Sequence, residues 1–427
     1  MAADLLVMAS LAQVAGQYVF LLFNAKGIGS NPASGWVLAV GVLWIVAMTA
    51  ICYIGIEISA NMQKALLSIE LVMLLVLSVV ALVKVGNGTA PVGHLVPSLS
   101  WFNPFDHFTA TGFMAGFTLM LFIYWGWDTA VSVNEETADS QTTPGRAAVV
   151  STLILLATYA LIVLATQSYA GIGSKGIGLE NAANRSDVLS VLGTSIFGTS
   201  GFGTVLTRML FLMVLSSAAA STQSTILPTA RTTLSMAVFK AVPKSFGRIH
   251  KRFLTPTVST VVMGGVPIVF YVAMNYLTSG GAVIGDSVSA LGSMIAFYYG
   301  LTGFSCAWYY RATLKDNARS FWLRGVLPLT GGLILFGCMV YNFWLYWMPV
   351  NSYTTWLMPF SPHWQIGGVF LLDAGAVILD VVLMFVLQAV QPAYFRGEVL
   401  NRDTPTRVPE DIGTPVGLFG IEPFEKE

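Results

Sequence analysis

The chain has 427 residues, of which 55% are apolar and 10% charged, with 21 basic against 21 acidic side chains. Soluble domains carry roughly 25% charged residues, so this composition argues against a soluble globular domain and points to a membrane-embedded chain. The zero formal net charge leaves no electrostatic case for a nucleic-acid partner.

A helix needs roughly 20 apolar residues to cross a bilayer. Ten such runs are predicted, at 4–23, 36–55, 65–83, 112–133, 147–171, 202–226, 256–278, 286–309, 323–346 and 366–390. The first is expected to insert and stay as a helix. Gly, Ala and Ser within the runs let helices approach closely, as in a packed bundle. The fold class expected is all-α and integral to the membrane, with about ten transmembrane helices over 1–391. A polar, Pro-containing tail over 392–427 is expected to be disordered.

Putting the N-terminus in the cytoplasm leaves only Lys26, Lys84, Lys175 and Arg185 outside, of 21 Lys and Arg in all. Arg208 lies within the sixth run. This bias predicts cytoplasmic N- and C-termini in the cell membrane. The basic stretch 228–255 reads as an interfacial segment. Its end, Thr255-Pro256, reads as a helix start, with Thr as cap and Pro in the first turn. The external loops 85–111 and 172–201 carry too little apolar surface to form domains. Cys52, Cys306 and Cys338 lie in or beside apolar runs, so neither a disulfide frame nor a zinc site is expected.

The fourth run holds the most informative stretch, Phe122-Ile123-Tyr124-Trp125-Gly126-Trp127-Asp128. It is followed by Asn134-Glu135-Glu136 and Pro144. Gly between two Trp in mid-run suggests local unwinding around a cavity. Freed backbone groups there bind charged ends of a substrate, and aromatics stack on a cation. The alternative is a continuous helix with aromatic packing. Asp128 just past the break needs a partner or a water-filled cavity, since a lone carboxylate there costs about 2.5–3.5 kcal/mol on insertion scales.

Glu70 is a lone acid in the third run, suited to loading and releasing a coupling proton or to a neutral hydrogen-bonded role. Asp373 and Asp380, seven apart, share a helix face. With Arg208 they read as internal salt bridges or as packing against another subunit of a homo-oligomer. The small polar run 216–223 either lines a pore or packs. The four histidines, His94, His107, His250 and His363, lie near or outside the membrane surfaces. No catalytic or metal-binding cluster has usable spacing. No phosphate-binding loop is present either. The chain is therefore expected to be no enzyme and to hold no cofactor or metal.

These motifs resemble the amino acid–polyamine–organocation permeases. Tyr124-Trp-Gly-Trp-Asp128 with Asn134-Glu-Glu136 and Pro144 is similar to that family's sixth helix and the loop after it. Ala230-Arg231, Met236-Ala237, Pro243, Phe246, His250 and Thr255-Pro256 are similar to the loop after its eighth. The resemblance implies a LeuT-like fold of two inverted five-helix repeats (5+5) plus two helices, working by alternating access. It implies a small-molecule substrate, an amino acid, amine or polyamine, moved with a proton or by exchange. Phe122 to Asp128 would then contact substrate, with Phe122 at a gating position. Ser217 falls near a substrate-lining position, and Glu70 where some proton-coupled members carry a Lys. On this mapping the first run matches the family's third helix. The first two helices, with their substrate-binding break, have no counterpart in residues 1–24. A truncated or mis-started reading frame is the expectation, and a permease-like binding or partner subunit that does not transport is the alternative.

Overall fold

A computed structural model of the chain describes residues 2–398 other than 104, 106–107, 133–136, 138, 141, 185–186, 278–280, 361 and 363. In chain order the helices are α1 Ala2–Leu22, α2 Lys26–Gly29, α3 Gly35–Ile54, α4 Ile56–Gly86, α5 Ala110–Ile123, α6 Thr129–Ser132, α7 Thr143–Ala170, α8 Val188–Phe197 and α9 Phe202–Val238. They continue with α10 Thr257–Leu277, α11 Gly281–Tyr309, α12 Ala318–Ser320, α13 Leu327–Trp347, α14 Gly368–Val390 and α15 Pro392–Phe395. A π-helical turn, Phe321–Val326, links α12 to α13. Strands β1 Thr355–Leu357 and β2 Gln365–Gly367 pair antiparallel, with Trp356 opposite Ile366.

Among the described residues, eight helices are long and apolar enough to cross a membrane: α1, α3, α4, α7, α9, α10, the α12–α13 stretch and α14. The eighth predicted span coincides with α11. The fourth is divided between α5 and α6. Among the described residues the fold is thus all-α apart from one short antiparallel strand pair.

The chain divides into two compact units. The larger comprises Leu11–Asp106, Gly126–Asn275 and Leu387–Glu427. Its core gathers side chains of α1, α4, α7, α8 and α9. Met73, Leu77, Ala81 and Val85 recur every four residues and bury one stripe of α4, while Val72, Leu75, Val79 and Val83 stay exposed. Both faces are apolar because lipid, not water, meets the outer one. Only Gly55 separates α3 from α4, at φ +149°, a backbone that L residues rarely adopt.

Two segments of this unit change the sequence reading, one extended and one corrected. The loop 172–201 holds α8, whose Leu192 and Ile196 are each 1% exposed and belong to the core. At ten residues, α8 is too short to stand out in a search for spans. Asp187 caps α8 by accepting from the Ser190 amide at 3.2 Å, and it also accepts from the Tyr18 hydroxyl of α1. Burial pushes the Asp187 carboxyl above its ordinary range, against the pull of those hydrogen bonds.

The second change concerns 228–255. Helix α9 runs through Pro228 to Val238, so the first part of the supposed interfacial stretch extends the sixth span, while Lys240, Lys244, Arg248, Lys251 and Arg252 follow the helix. Helix α10 begins at Thr257. The Thr255 hydroxyl donates to the Tyr53 carbonyl at 2.8 Å, and Pro256 pairs in a bridge with Ile249 just before the helix.

The smaller unit comprises Met1–Ser10, His107–Trp125 and Tyr276–Val386. Helices α11 and α13 pack along glycines. A Cβ on Gly303 would lie 2.5 Å from the Pro328 carbonyl oxygen, and one on Gly332 would lie 3.0 Å from that of Gly300. Small residues at such crossings let membrane helices pack by close contact. Asp286 of α11, 1% exposed, accepts from the amides of Tyr353 and Thr354 at 2.8 and 3.0 Å and from the Thr354 hydroxyl. That carboxylate ties the segment before β1 to α11.

Candidate functional site

Helix α5 starts at a Thr109 cap, whose hydroxyl accepts from the Gly112 amide at 3.2 Å, and it ends at Ile123. Residues 124–128 form turns, and α6 resumes at Thr129. Gly126 turns the chain at φ +110°, and a Cβ there would meet nothing within 4 Å. The break is therefore set by backbone conformation, not by crowding. Tyr124 and Trp125 close the α5 end with amide bonds to Met120 and Phe122 at 2.9 and 3.2 Å. Thr129 and Ala130 restart the chain on the carbonyls of Gly126 and Trp127 at 3.1 and 3.3 Å. Among the described residues, the Gly126 amide and the Ile123 and Trp125 carbonyls stand outside the helix ladder.

In the smaller unit, the Trp125 indole donates to the Tyr298 hydroxyl of α11 at 2.7 Å. The Tyr298 and Tyr299 rings lie 4.3 Å apart, centroid to centroid. Trp125 is thereby held by α11, which sequence spacing gave no sign of. Phe122, Ile123 and Tyr124 are half-buried. In the larger unit, Gly126 and Trp127 are exposed and Asp128 is half-buried. Helix α6 packs on α7 and α9. Asn134, Glu135 and Glu136 lie outside the described residues, whereas Pro144 is buried in the first turn of α7.

The larger unit joins two residues that the sequence singled out separately. The Ser217 hydroxyl of α9 donates to Glu70 Oε1 of α4 at 3.0 Å. Both are half-buried. Six residues on, Gln223 is fully buried and takes the Ser59 hydroxyl at 2.5 Å, while its amide reaches Met48 Sδ at 3.6 Å. Gln223 therefore joins α9 to α3 and α4. Much of the rest of the 216–223 run packs: Ser216 and Thr222 are buried and return their hydroxyls to Met213 and Ala218, both at 2.7 Å.

The remaining charged residues separate. Asp373 is 1% exposed, and neither of its oxygens has a hydrogen-bond partner among the described residues. Asp380, on the same face two turns later, is exposed. Helix α14 buries only its first turns, so the shared face does not give a shared environment. Arg208 is exposed on α9, away from the buried stripe.

Residues 2–371 match the model of the family described as amino acid permease. Uncharacterized transporters of Mycobacterium bovis and of two Mycobacterium tuberculosis strains are 28% identical over 326 residues. That stretch covers 75% of this chain and 63% of theirs, so the chain spans less than two thirds of the length of these curated relatives. With most of its length matched to one family and its helices long and apolar enough to cross a bilayer several times, the chain is a multi-pass membrane protein of the amino acid permease family, within the amino acid–polyamine–organocation superfamily.

Proposed function

We propose that this chain is a secondary transporter that moves amino acids or related amines, including polyamines, across the cytoplasmic membrane by alternating access. The observation that carries this reading is the interruption of an apolar helix at Trp125-Gly126-Trp127. Backbone at membrane depth leaves the helical ladder only where it is buried in protein or lines a water-filled cavity. Such a break offers amide and carbonyl groups to a zwitterion, and the flanking aromatics offer faces to an ammonium group. Phe122 to Asp128 form the substrate-contacting stretch, Ser217 lines the path, and both termini are cytoplasmic.

The Ser217–Glu70 hydrogen bond supports a coupling role for Glu70. A carboxyl on one helix that exchanges a proton and a partner on another can link ionisation to helix movement. Proton coupling is thus favoured over simple exchange.

The test is uptake of labelled amino acids and polyamines by the purified full chain in sealed liposomes, with and without an inward proton gradient. Saturable accumulation that the gradient drives is expected. Saturable binding with no flux of any substrate would overturn the proposal in favour of a binding or partner subunit.

A further inference from the structure

A second polar site lies in the smaller unit, on α5, α11, α13 and α14, and shares α5 with the aromatic break. Thr118 of α5, Ser293 of α11, Asn342 of α13 and Asp373 of α14 are each no more than 1% exposed. The Asn342 amide spends its hydrogens on Thr118 Oγ1 at 2.9 Å and Ser293 Oγ at 3.2 Å. Thr118 in turn donates to the Met114 carbonyl at 2.7 Å. The Ser293 hydroxyl lies beside the Asp373 carboxyl without closing a normal hydrogen bond, so Ser293 neighbours both the amide and the acid. Phe370, one turn before Asp373, packs edge-on against Phe343 and Trp347 at 5.7 and 4.8 Å, which fixes this face of α14 against α13.

The donor and acceptor count does not close. Asn342 Oδ1 and both Asp373 oxygens are buried acceptors with no partner among the described residues. Buried polar atoms are rarely left unpaired. The four helices that build the site, α5, α11, α13 and α14, contain no Lys, Arg or His. Tyr346 neighbours Asp373 and also lies within reach of Asp286 and Tyr353. Three buried oxygens without a hydrogen-bond partner among the described residues, from one carboxylate and one amide, together with the Ser293 hydroxyl oxygen, are the kind of donors that hard cations prefer. Intramembrane acids of this kind mark ion pathways.

We infer that Asp373, Asn342 and Ser293 form a binding site for one monovalent metal cation, sodium being the ion tested. The single carboxylate balances a single positive charge. The site joins α11, α13 and α14, so an ion there ties these three helices together. It does not depend on the transport reading, because the ion can bind whether or not substrate moves.

The experiment is thermal unfolding of the purified full chain while sodium chloride replaces choline chloride at constant ionic strength, at acid, neutral and alkaline pH. A saturable rise in Tm of a few degrees with sodium is expected at neutral and alkaline pH. Asp373→Asn should remove the sodium-dependent part of that rise. Ser293→Ala should need roughly tenfold more sodium for the same effect, and it provides a reading if Asp373→Asn fails to fold. Curves that superimpose in sodium and choline at every pH would overturn the site and leave the carboxyl to a proton alone. A full sodium response in Asp373→Asn would overturn it equally.

Discussion

The Ser217 hydroxyl donates to the Glu70 carboxylate at 3.0 Å, joining α9 to α4 across 147 residues of sequence. The pair has a direct test. Glu70→Gln keeps an acceptor for Ser217 but removes the titratable group. Under the coupling proposal, uptake driven by a pH gradient vanishes while substrate exchange at equal pH survives. Gradient-driven uptake that persists in Glu70→Gln, measured by initial rates in liposomes, removes Glu70 from the coupling step.

Trp125 is placed by its indole bond to Tyr298 at 2.7 Å. Tyr298→Phe removes the acceptor and leaves the ring. The expected loss is about 1 kcal/mol of positioning energy, roughly a fivefold drop in kcat/KM for uptake, with little change in Tm. Equal losses of stability and uptake would assign the bond to folding alone.

Gly292 sits where α11 meets α5. A Cβ there would lie 2.3 Å from Thr118 Cγ2 and 2.4 Å from the Thr118 carbonyl oxygen. Backbone on one side cannot yield as a flexible side chain would. Gly292→Ala should destabilise the chain by roughly 1–3 kcal/mol, read as a lowered Tm in detergent. An unchanged Tm would mean that α5 and α11 separate freely.

Asp187 predicts a pH dependence of stability. Burial raises its carboxyl above the ordinary range in the folded chain, so the folded state holds this proton more tightly than the unfolded one. Its contribution is full below the unfolded value and is lost as pH rises through the raised folded value. Asp187→Asn keeps an acceptor for the Tyr18 hydroxyl and the Ser190 amide but cannot ionise. The difference in Tm between the parent chain and Asp187→Asn should therefore change across that window and be flat on either side. A constant difference would contradict the assignment.

Much of the architecture was legible in the sequence because hydropathy alone sets where a chain can cross lipid. The predicted runs coincide with the observed helices, and the fourth carried its own interruption in Gly126 between two tryptophans. Which face of each helix packs was not legible. Met73, Leu77 and Ala81 face the core, while Val72, Leu75 and Val79 face outward, yet both sets are apolar. A soluble helix marks its outer face with charge; a lipid-facing one does not. The same limit hid the Glu70–Ser217 and Trp125–Tyr298 pairs, which join helices far apart in sequence. Asp373 and Asp380 looked alike by spacing and differ because α14 packs only near its start. Helix α8 was missed because ten residues between Gly- and Ser-rich segments are too few to register as a span.

The most direct measurement is the initial rate of amino acid uptake into liposomes, across substrate concentrations, for the full chain and for Trp125→Ala and Phe122→Ala. If the broken helix binds substrate, each variant weakens capture by roughly tenfold while the protein stays folded and inserted. Unchanged uptake kinetics in both variants would contradict the assignment of the substrate site to the break.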